Sequence, residues 1–201
     1  MFRSPKTTTT VLAAFIALAV PASASAVTTI SDGPNGKLVV SGSGTDNLLQ
    51  VLHGNEGGTN HFQLSVNGSP DGGTLSENSS HCQPADFFGD QISECDYDIN
   101  RMVVKLREGK DETFFESDTS DQPWPAAVKL VIDGGGGNDR LRGSEANDKI
   151  KGGSGKDALV GWFGSDKLLA KDGTRDRRIS CGPGDNETAK TDPNDPQPRS
   201  C

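Results

Sequence analysis

The sequence predicts an all-β protein, and three observations favour this class. The chain contains 25 glycines and 11 prolines in 201 residues, whereas aromatic residues make up only 5%. Short segments alternate between apolar and polar residues, as in strands with one buried face, and no segment keeps a helical period of 3.6 residues. This composition disfavours a helical bundle or a densely packed α/β enzyme.

The first 26 residues have the organisation of a secretory signal peptide. Arg3 and Lys6 precede a ten-residue apolar run, 11–20, and the small residues that follow predict cleavage after Ala26. Ten apolar residues are about half of the roughly 20 that a membrane-spanning helix needs. We therefore expect a secreted, extracellular protein.

Residues 27–130 are predicted to form a β-rich domain. Turn residues separate the segments in which apolar and polar residues alternate. The predicted strands are 37–40, 48–52, 62–66, 102–106 and 128–132.

Four cysteines in an oxidising compartment favour two disulfides. They allow three pairings. The local pairing, Cys82 with Cys95 and Cys181 with Cys201, would close loops of 14 and 21 residues. Each loop is worth about 3 kcal/mol in the chain-entropy model. Zinc binding is the alternative role for these cysteines, but the sequence has no Cys-x-x-Cys spacing.

At Gly134 the sequence becomes a repeat of nine residues. Ten of the 25 glycines fall between Gly134 and Gly164. Each copy has glycine at position one, aspartate at position six and an aliphatic residue at position eight, an agreement far beyond chance. The four copies are 134–142, 143–151, 152–160 and 161–169.

Each copy divides into a glycine-rich turn of six residues and a strand of three. Glycines permit positive φ and let carbonyl groups converge, and the aspartate adds a carboxylate. Calcium prefers six to eight oxygen ligands of these kinds. One buried aliphatic residue in nine is too small a core for a copy to fold alone, so the copies must stack.

The pattern resembles the RTX, or haemolysin-type calcium-binding, nonapeptide family, G-G-x-G-x-D-x-U-x. The first and third copies match every defined position. The resemblance implies a short parallel β-roll over residues 131–179, with two copies per coil and Ca²⁺ between stacked turns. It pairs the Asp139 turn with the Asp157 turn, and the Asp148 turn with the Asp166 turn. The implied calcium-site residues are Gly134, Gly136, Asp139, Asp148, Gly152, Ser154, Asp157 and Asp166.

Departures from the pattern predict that the two pairs of turns are unequal. Ser144 and Ala146 replace glycines of the second copy, and Trp162 replaces one in the fourth. The Asp139/Asp157 pair is therefore expected to bind better than the Asp148/Asp166 pair.

Further sequence elements echo the repeat on both sides. Residues 172–176 look like a degenerate fifth copy, with Asp176 ten residues after Asp166. Upstream, 109–111 and 44–46 contain the G-x-D element. Residues 180–201, which contain Cys181 and Cys201, are expected to form a disulfide-tied cap, as repeat arrays require. The whole arrangement is similar to exported calcium-binding repeat proteins of actinobacteria.

Charge is distributed unevenly along the chain. Residues 27–133 contain 17 acidic and 6 basic residues, whereas residues 134–178 contain 7 acidic and 10 basic ones. The acidic balance disfavours nucleic acid as a partner. Bases of the repeat flank its buried aliphatic residues and so face outward; they form either an anion-binding face, for example for a cell-wall or matrix polymer, or an ordinary solvated surface. These bases are Arg140, Arg142, Lys149, Lys151 and Lys167.

The sequence predicts no enzyme. It contains neither H-E-x-x-H nor G-x-S-x-G, and a catalytic site would require His53, His61 or His81 to meet carboxylates in the fold. We expect a monomeric, secreted calcium-binding protein with a structural or adhesive role at the cell surface. One alternative is an N-terminal domain, stabilised by the roll, that binds a carbohydrate or small molecule; a second is a hydrolase without a recognisable motif.

Overall fold

The computed structural model describes residues 27–42, 44–56, 59–67, 74–87, 90–96, 99–117, 124–125 and 127–201. The predicted signal peptide, residues 1–26, lies outside the described residues. Among the described residues, every regular element is a β-strand, so the all-β prediction is confirmed. The same residues include no helix of the length and hydrophobicity needed to cross a membrane.

The described chain contains sixteen strands. They are β1 (Val27–Gly33), β2 (Lys37–Ser41), β3 (Leu48–Glu56), β4 (Thr59–Asn67), β5 (Thr74–Asn78), β6 (Cys82–Phe87), β7 (Asp90–Asp96), β8 (Arg101–Lys105), β9 (Glu112–Ser117), β10 (Lys129–Gly136), β11 (Arg140–Arg142), β12 (Lys149–Ser154), β13 (Ala158–Val160), β14 (Lys167–Leu169), β15 (Arg178–Ser180) and β16 (Thr188–Lys190).

These strands form two eight-stranded sheets. The first sheet has the order β16-β14-β12-β10-β8-β2-β1-β5, and the second has the order β15-β13-β11-β9-β3-β4-β7-β6. From β2 to β16 the chain visits the two sheets alternately, apart from the excursion β4–β7, and neighbouring strands in this part are parallel. Each pair of strands therefore makes one coil that stacks on the next.

Register follows the nonapeptide period. Ile132 lies opposite Ile150, and Ile150 lies opposite Leu168, so neighbouring strands of the first sheet are offset by two nonapeptides. Leu141 and Leu159 have the same relation in the second sheet. Because strand side chains alternate, the single aliphatic residue of each copy points inward and its neighbours point outward.

The core lies between the two sheets as one cluster of apolar residues. Ile132, Ile150 and Leu168 from the first sheet pack with Leu141 and Leu159 from the second, and all five are almost completely buried. Complete burial of a leucine or isoleucine contributes about 1.5–3 kcal/mol. Stacking is thus what supplies a core that one copy cannot form by itself.

Both sheets continue without interruption across residue 130. In the first sheet, Leu38 of β2 pairs with Met102 of β8, and Met102 pairs with Leu130 of β10. In the second, Leu49 of β3 pairs with Thr113 of β9, which pairs with Leu141. The coils of the repeat segment therefore extend upstream through strands whose sequence shows no nonapeptide.

The structure selects the local disulfide pairing. Cys82 on β6 is bonded to Cys95 on β7, and Cys181 is bonded to Cys201. The second bond ties the C-terminal residues to the last coil. The backbone amide of Cys181 donates to the Arg199 carbonyl, and the amide of Arg199 donates to the Ile179 carbonyl. The C-terminal segment thereby covers the end of the second sheet.

Candidate metal centre

The glycine-rich turns connect the two sheets and stack in two columns. Turns that lead from the first sheet to the second include 134–139 and 152–157, and turns that lead back include 143–148 and 161–166. The predicted pairs of turns are adjacent: the Asp139 amide donates to Asp157 Oδ1 at 2.9 Å, and the Asp148 amide donates to Asp166 Oδ1 at 2.9 Å.

The first column carries a continuous ladder of side-chain oxygens, which we call the first ladder. In each rung, a backbone amide donates to the carboxylate one coil further along. The bonds run from Asn47 to Asp111, from Asp111 to Asp139, from Asp139 to Asp157, from Asp157 to Asp176 and from Asp176 to Asp195, at 2.7–2.9 Å.

The predicted calcium-site residues are mostly buried. All four repeat aspartates are at most 3% exposed, and Gly134, Gly136 and Gly152 are buried as well. Ser154 differs because its side chain is exposed, and its carbonyl accepts a hydrogen bond from the Gly137 amide. Only the Ser154 backbone therefore lies where it contacts the neighbouring turn.

One carboxylate oxygen of Asp139 has no hydrogen-bond partner although it is buried. A Cβ atom at Gly134 would collide with this atom, Oδ2, and would lie 2.5 Å from the Gly152 carbonyl oxygen. Glycine at this position thus leaves open the space where a carboxylate oxygen and a carbonyl oxygen of the next turn converge. Oxygens of these two kinds are the ligands that Ca²⁺ prefers, so the residues fit this ion.

Burial raises the pKa values of aspartates in both columns of turns. The pKa of Asp139 rises to about 7 because burial penalises the charged form; the hydrogen bond from the Asp111 amide opposes this shift, and the Asp157 charge adds to it. The pKa of Asp166 rises to about 7, also chiefly through burial. Burial likewise raises the pKa of Asp157. A bound divalent cation would remove much of this penalty.

The second pair of turns is built differently. Asp148 Oδ2 accepts hydrogen bonds from both the amide and the hydroxyl of Ser144, at 2.7 and 2.9 Å. Asp166 Oδ2, in contrast, is buried without a hydrogen-bond partner. Trp162, at the position of the second glycine, has φ = 79°. Ser144 thus competes for the carboxylate oxygen that a cation would use.

The structure adds functional candidates that the repeat pattern does not contain. Asp176 is the next rung after Asp157, as the degenerate fifth copy suggests, and Asp195 follows it although no repeat is recognisable there. Glu187 directly precedes β16, as Asp166 precedes β14, and its buried Oε1 has no hydrogen-bond partner. The spacing of nine residues did not reveal Asp195 and Glu187 because the turns before them differ in length.

The two upstream G-x-D elements relate differently to the first ladder. The element 109–111 contains the ladder residue Asp111, whereas the ladder residue near 44–46 is Asn47, which follows the element.

Carbonyl groups are essential to any calcium site in this part of the molecule. Within the described residues, no three histidine, cysteine, aspartate or glutamate side chains gather as metal ligands would. A site between two turns would therefore combine one or two carboxylates with backbone oxygens. This donor set suits a hard cation and not zinc, which prefers nitrogen and sulfur.

Comparison with known families agrees with the geometry. The family model of the RTX calcium-binding nonapeptide repeat matches residues 133–168 in four copies. This segment consists of RTX calcium-binding repeats. Searches of curated proteins and of solved structures give no match to the chain. The RTX repeats support calcium binding, and the match begins next to Gly134, where the spacing of nine residues begins in the sequence.

Two of the histidines make contacts with residues outside the RTX turns. His53 is buried against Phe62 and Trp124, with ring centroids 5.4 and 6.3 Å apart. His81 Nδ1 lies 3.0 Å from Asp32 Oδ1, in a cluster of exposed side chains that also contains Ser79 and Ser80. His53 therefore belongs to the core.

Proposed function

We propose that this chain is a secreted, monomeric protein whose RTX repeats form a β-roll on binding Ca²⁺, with a structural or adhesive role at the cell surface and no catalytic activity. Secretion is supported by the signal-peptide pattern and by the two disulfides, which persist in oxidising compartments. The roll is supported by parallel coils of two nonapeptides.

The buried, unpartnered Oδ2 atom of Asp139 carries the calcium proposal. An ionised carboxylate is costly to bury without a partner. The adjacent Gly152 carbonyl oxygen increases the negative potential there, and its approach depends on glycine at position 134. Calcium supplies the positive charge that makes this arrangement favourable.

The residues of the chain have separate roles in this binding. The glycines at 135, 137, 153 and 155 adopt positive φ, which brings the carbonyls of one turn against the next. Asp139 and Asp157 hold adjacent turns in register through Oδ1, and the Oδ2 atom of Asp139 is left for the ion. In the calcium-free protein, mutual repulsion along the first ladder opposes stacking, so we expect order to depend on calcium.

A calcium titration of the oxidised full chain tests the proposal, with far-UV circular dichroism and thermal unfolding as readouts. We expect a saturable gain of β signal and of Tm. The variant D139N/D157N keeps the shape of both side chains and should lose most of this response. Extracellular calcium modules have Kd values of about 10⁻⁴–10⁻³ M, so the titration should extend to about 10 mM.

The matched control is D133N. Asp133 lies on an exposed face, 3.2 Å from Lys151, and its replacement removes a charge without affecting a turn. It should respond to calcium like the unmodified chain. An unmodified chain that binds no calcium up to about 10 mM would refute the proposal.

A charged surface favours an anionic polymer as the partner in adhesion. The structure divides the five bases of the repeat between two surfaces: Arg140 and Arg142 lie on the second sheet, and Lys149, Lys151 and Lys167 lie on the first. Arg140 and Arg142 contact Glu112 and Glu116, at 3.9 and 3.0 Å. The outward lysines and arginines of the first sheet, which we call the basic face, are Lys37, Arg101, Lys105, Lys129, Lys149, Lys151, Lys167 and Lys190.

A cavity of about 480 Å³ opens beside the basic face. Three lysines line it, Lys151, Lys171 and Lys190, together with Leu169 and Asp172. The size lies within the range of small-molecule sites, about 300–1,000 Å³. The cavity could therefore receive an acidic sugar unit of a polysaccharide.

Binding to immobilised polygalacturonate, with calcium present, tests this partner. The variant K151E/K190E should lose binding, whereas R140E/R178E, which reverses two charges on the second sheet, should retain it. Equal loss in both variants would indicate a response to net charge alone and would refute a site on the basic face. If the unmodified chain bound duplex DNA as tightly as polygalacturonate, a specific site on the basic face would also be refuted.

A further inference from the structure

Residues 106–111 form a turn that stacks on the first RTX turn, although they precede the segment that the family model matches. Strand β8 leads into this turn and β9 follows it, as β10 and β11 flank the turn 134–139. In the stack of coils, the turn 106–111 is the neighbour of 134–139 on the side opposite to 152–157.

The hydrogen bonds of this turn repeat those between the RTX turns. The Gly109 amide donates to the Gly136 carbonyl at 2.9 Å, as the Gly137 amide donates to Ser154 at 2.8 Å. The Asp111 amide donates to Asp139 Oδ1 at 2.9 Å, which is also the length of the corresponding bond from Asp139 to Asp157.

The backbone conformation is also repeated. Gly109 has φ = 129°, against 125° for Gly137 and 130° for Gly155. Arg107 has φ = 77°, in the left-handed region that Gly135 and Gly153 occupy. The carbonyls of Arg107 and Gly109 point at the Cα atoms of Gly135 and Gly137, where a Cβ would collide with them. The two turns are therefore joined as closely as two RTX turns.

The carboxylate of Asp111, like that of Asp139, has one buried oxygen without a hydrogen-bond partner. Its side chain is 1% exposed, Oδ1 accepts hydrogen bonds from Asn47, and the buried Oδ2 has no hydrogen-bond partner. Two differences distinguish this turn. Leu106 replaces the first glycine, and Glu108 places an additional carboxylate over Gly136. The second difference adds a negative charge at a position where the turns 134–139 and 152–157 have Gly136 and Ser154.

Asn47 ends the series of carboxylates on this side. It occupies the next rung, but its side-chain nitrogen donates to Asp111 Oδ1 at 2.7 Å. The amide N–H groups of Asn47 reach only Oδ1 of this carboxylate, and the asparagine contributes no negative charge. The carboxylates of the first ladder thus begin at Asp111.

We infer that a further Ca²⁺ site lies between the turn 106–111 and the turn 134–139, with the carboxylates of Asp111 and Asp139 and neighbouring backbone carbonyls as its donors and the Glu108 carboxylate as an additional negative charge close by. The inference rests on the proposed calcium function of the RTX turns. This site would attach the N-terminal strands to the repeat array, so that calcium would order both.

Calcium stoichiometry, measured by equilibrium dialysis of the oxidised full chain, tests the inference. D111N should bind one ion per chain fewer than the unmodified protein. E112Q removes the neighbouring carboxylate, which lies on the sheet surface and not in the turn, and should bind the full number. D157N should lose calcium whether or not the additional site exists, because it tests only the RTX turns.

Several outcomes separate the two proposals. Full stoichiometry in D111N, with a loss in D157N, would overturn the additional site and leave the RTX function intact. An unmodified chain that binds no calcium would overturn both. If D111N does not fold, a variant of the exposed Glu108 provides the test. E108Q should weaken the binding of one calcium ion by about threefold or more, as expected for loss of one nearby charge. Unchanged calcium binding in E108Q would exclude the site.

Discussion

The guanidinium of Arg142 lies 4.1 Å from the ring centroid of Trp162, at the position where the fourth RTX repeat lacks its second glycine. Trp162 has φ = 79° and is 38% exposed, and Phe163 packs edge-on against it at 5.3 Å. The turn therefore keeps the backbone that glycine favours while carrying a large side chain. The contacts with Arg142 and Phe163 offset part of the conformational cost.

At position 162, a glycine variant should be more stable than an alanine variant, which is the reverse of the usual order of stability. Both W162A and W162G lose the ring contacts, but only alanine retains a Cβ in the left-handed region, which costs about 1–2 kcal/mol. We expect W162G to be more stable than W162A by about 1 kcal/mol in urea unfolding with calcium present. Equal stability, or a more stable alanine variant, would show that the turn relaxes to another conformation.

Gly153 and Gly173 form a matched pair that separates backbone strain from close packing. Both have positive φ, 104° and 92°. A Cβ at Gly153 would collide with the Gly135 carbonyl, whereas a Cβ at Gly173 meets nothing within 4 Å. We expect G173A to cost about 1 kcal/mol through strain and G153A about 3 kcal/mol through strain and separation of the turns. Similar losses in urea unfolding would contradict the stacking.

The disulfide between Cys181 and Cys201 should stabilise the C-terminal coil specifically. Its removal in C181S/C201S should cost about 3 kcal/mol, as expected for a loop of this length. Hydrogen exchange should accelerate at the Arg199 and Asp176 amides, which donate to Ile179 and Asp195. C82S/C95S is the control, because that bond joins β6 and β7 and should not affect these amides.

Without calcium, stability should fall as the pH rises from about 4 to about 7. Burial raises the pKa values of Asp111, Asp139 and Asp176 from 3.8 to about 7. Between these values the folded chain binds more protons than the unfolded chain, so raising the pH favours unfolding. Each such group contributes at most about 1.4 kcal/mol per pH unit.

Urea unfolding in a chelator at several pH values checks this dependence. D176N should show a smaller slope than the unmodified chain, because asparagine does not titrate. D133N is the control and should retain the full slope. A calcium-free protein whose stability rises over this interval would show that the carboxyls are ionised when folded.

The repeat segment was predictable because its determinants are local. Glycine, aspartate and the aliphatic residue recur at fixed positions within nine residues, and this period alone identifies the turns around Asp139 and Asp157 and the strands that follow them. The resemblance to RTX repeats then implied the stacking of these turns, which their hydrogen bond shows. The disulfide pairing, in contrast, stayed open among three arrangements until the fold placed Cys82 opposite Cys95.

By itself, the sequence determined the all-β class, the RTX repeats and their aspartates. Only the tertiary structure decided that Asn47 and Asp111, which are 64 residues apart, belong to the same ladder as the repeats. It also placed Lys149 and Arg140 on different sheets. The physical reason is that a turn can be recognised from its own glycines, whereas the joining of distant coils depends on sheet pairing and on a shared core. Strands such as β2 and β8 acquire their partners only when that core forms.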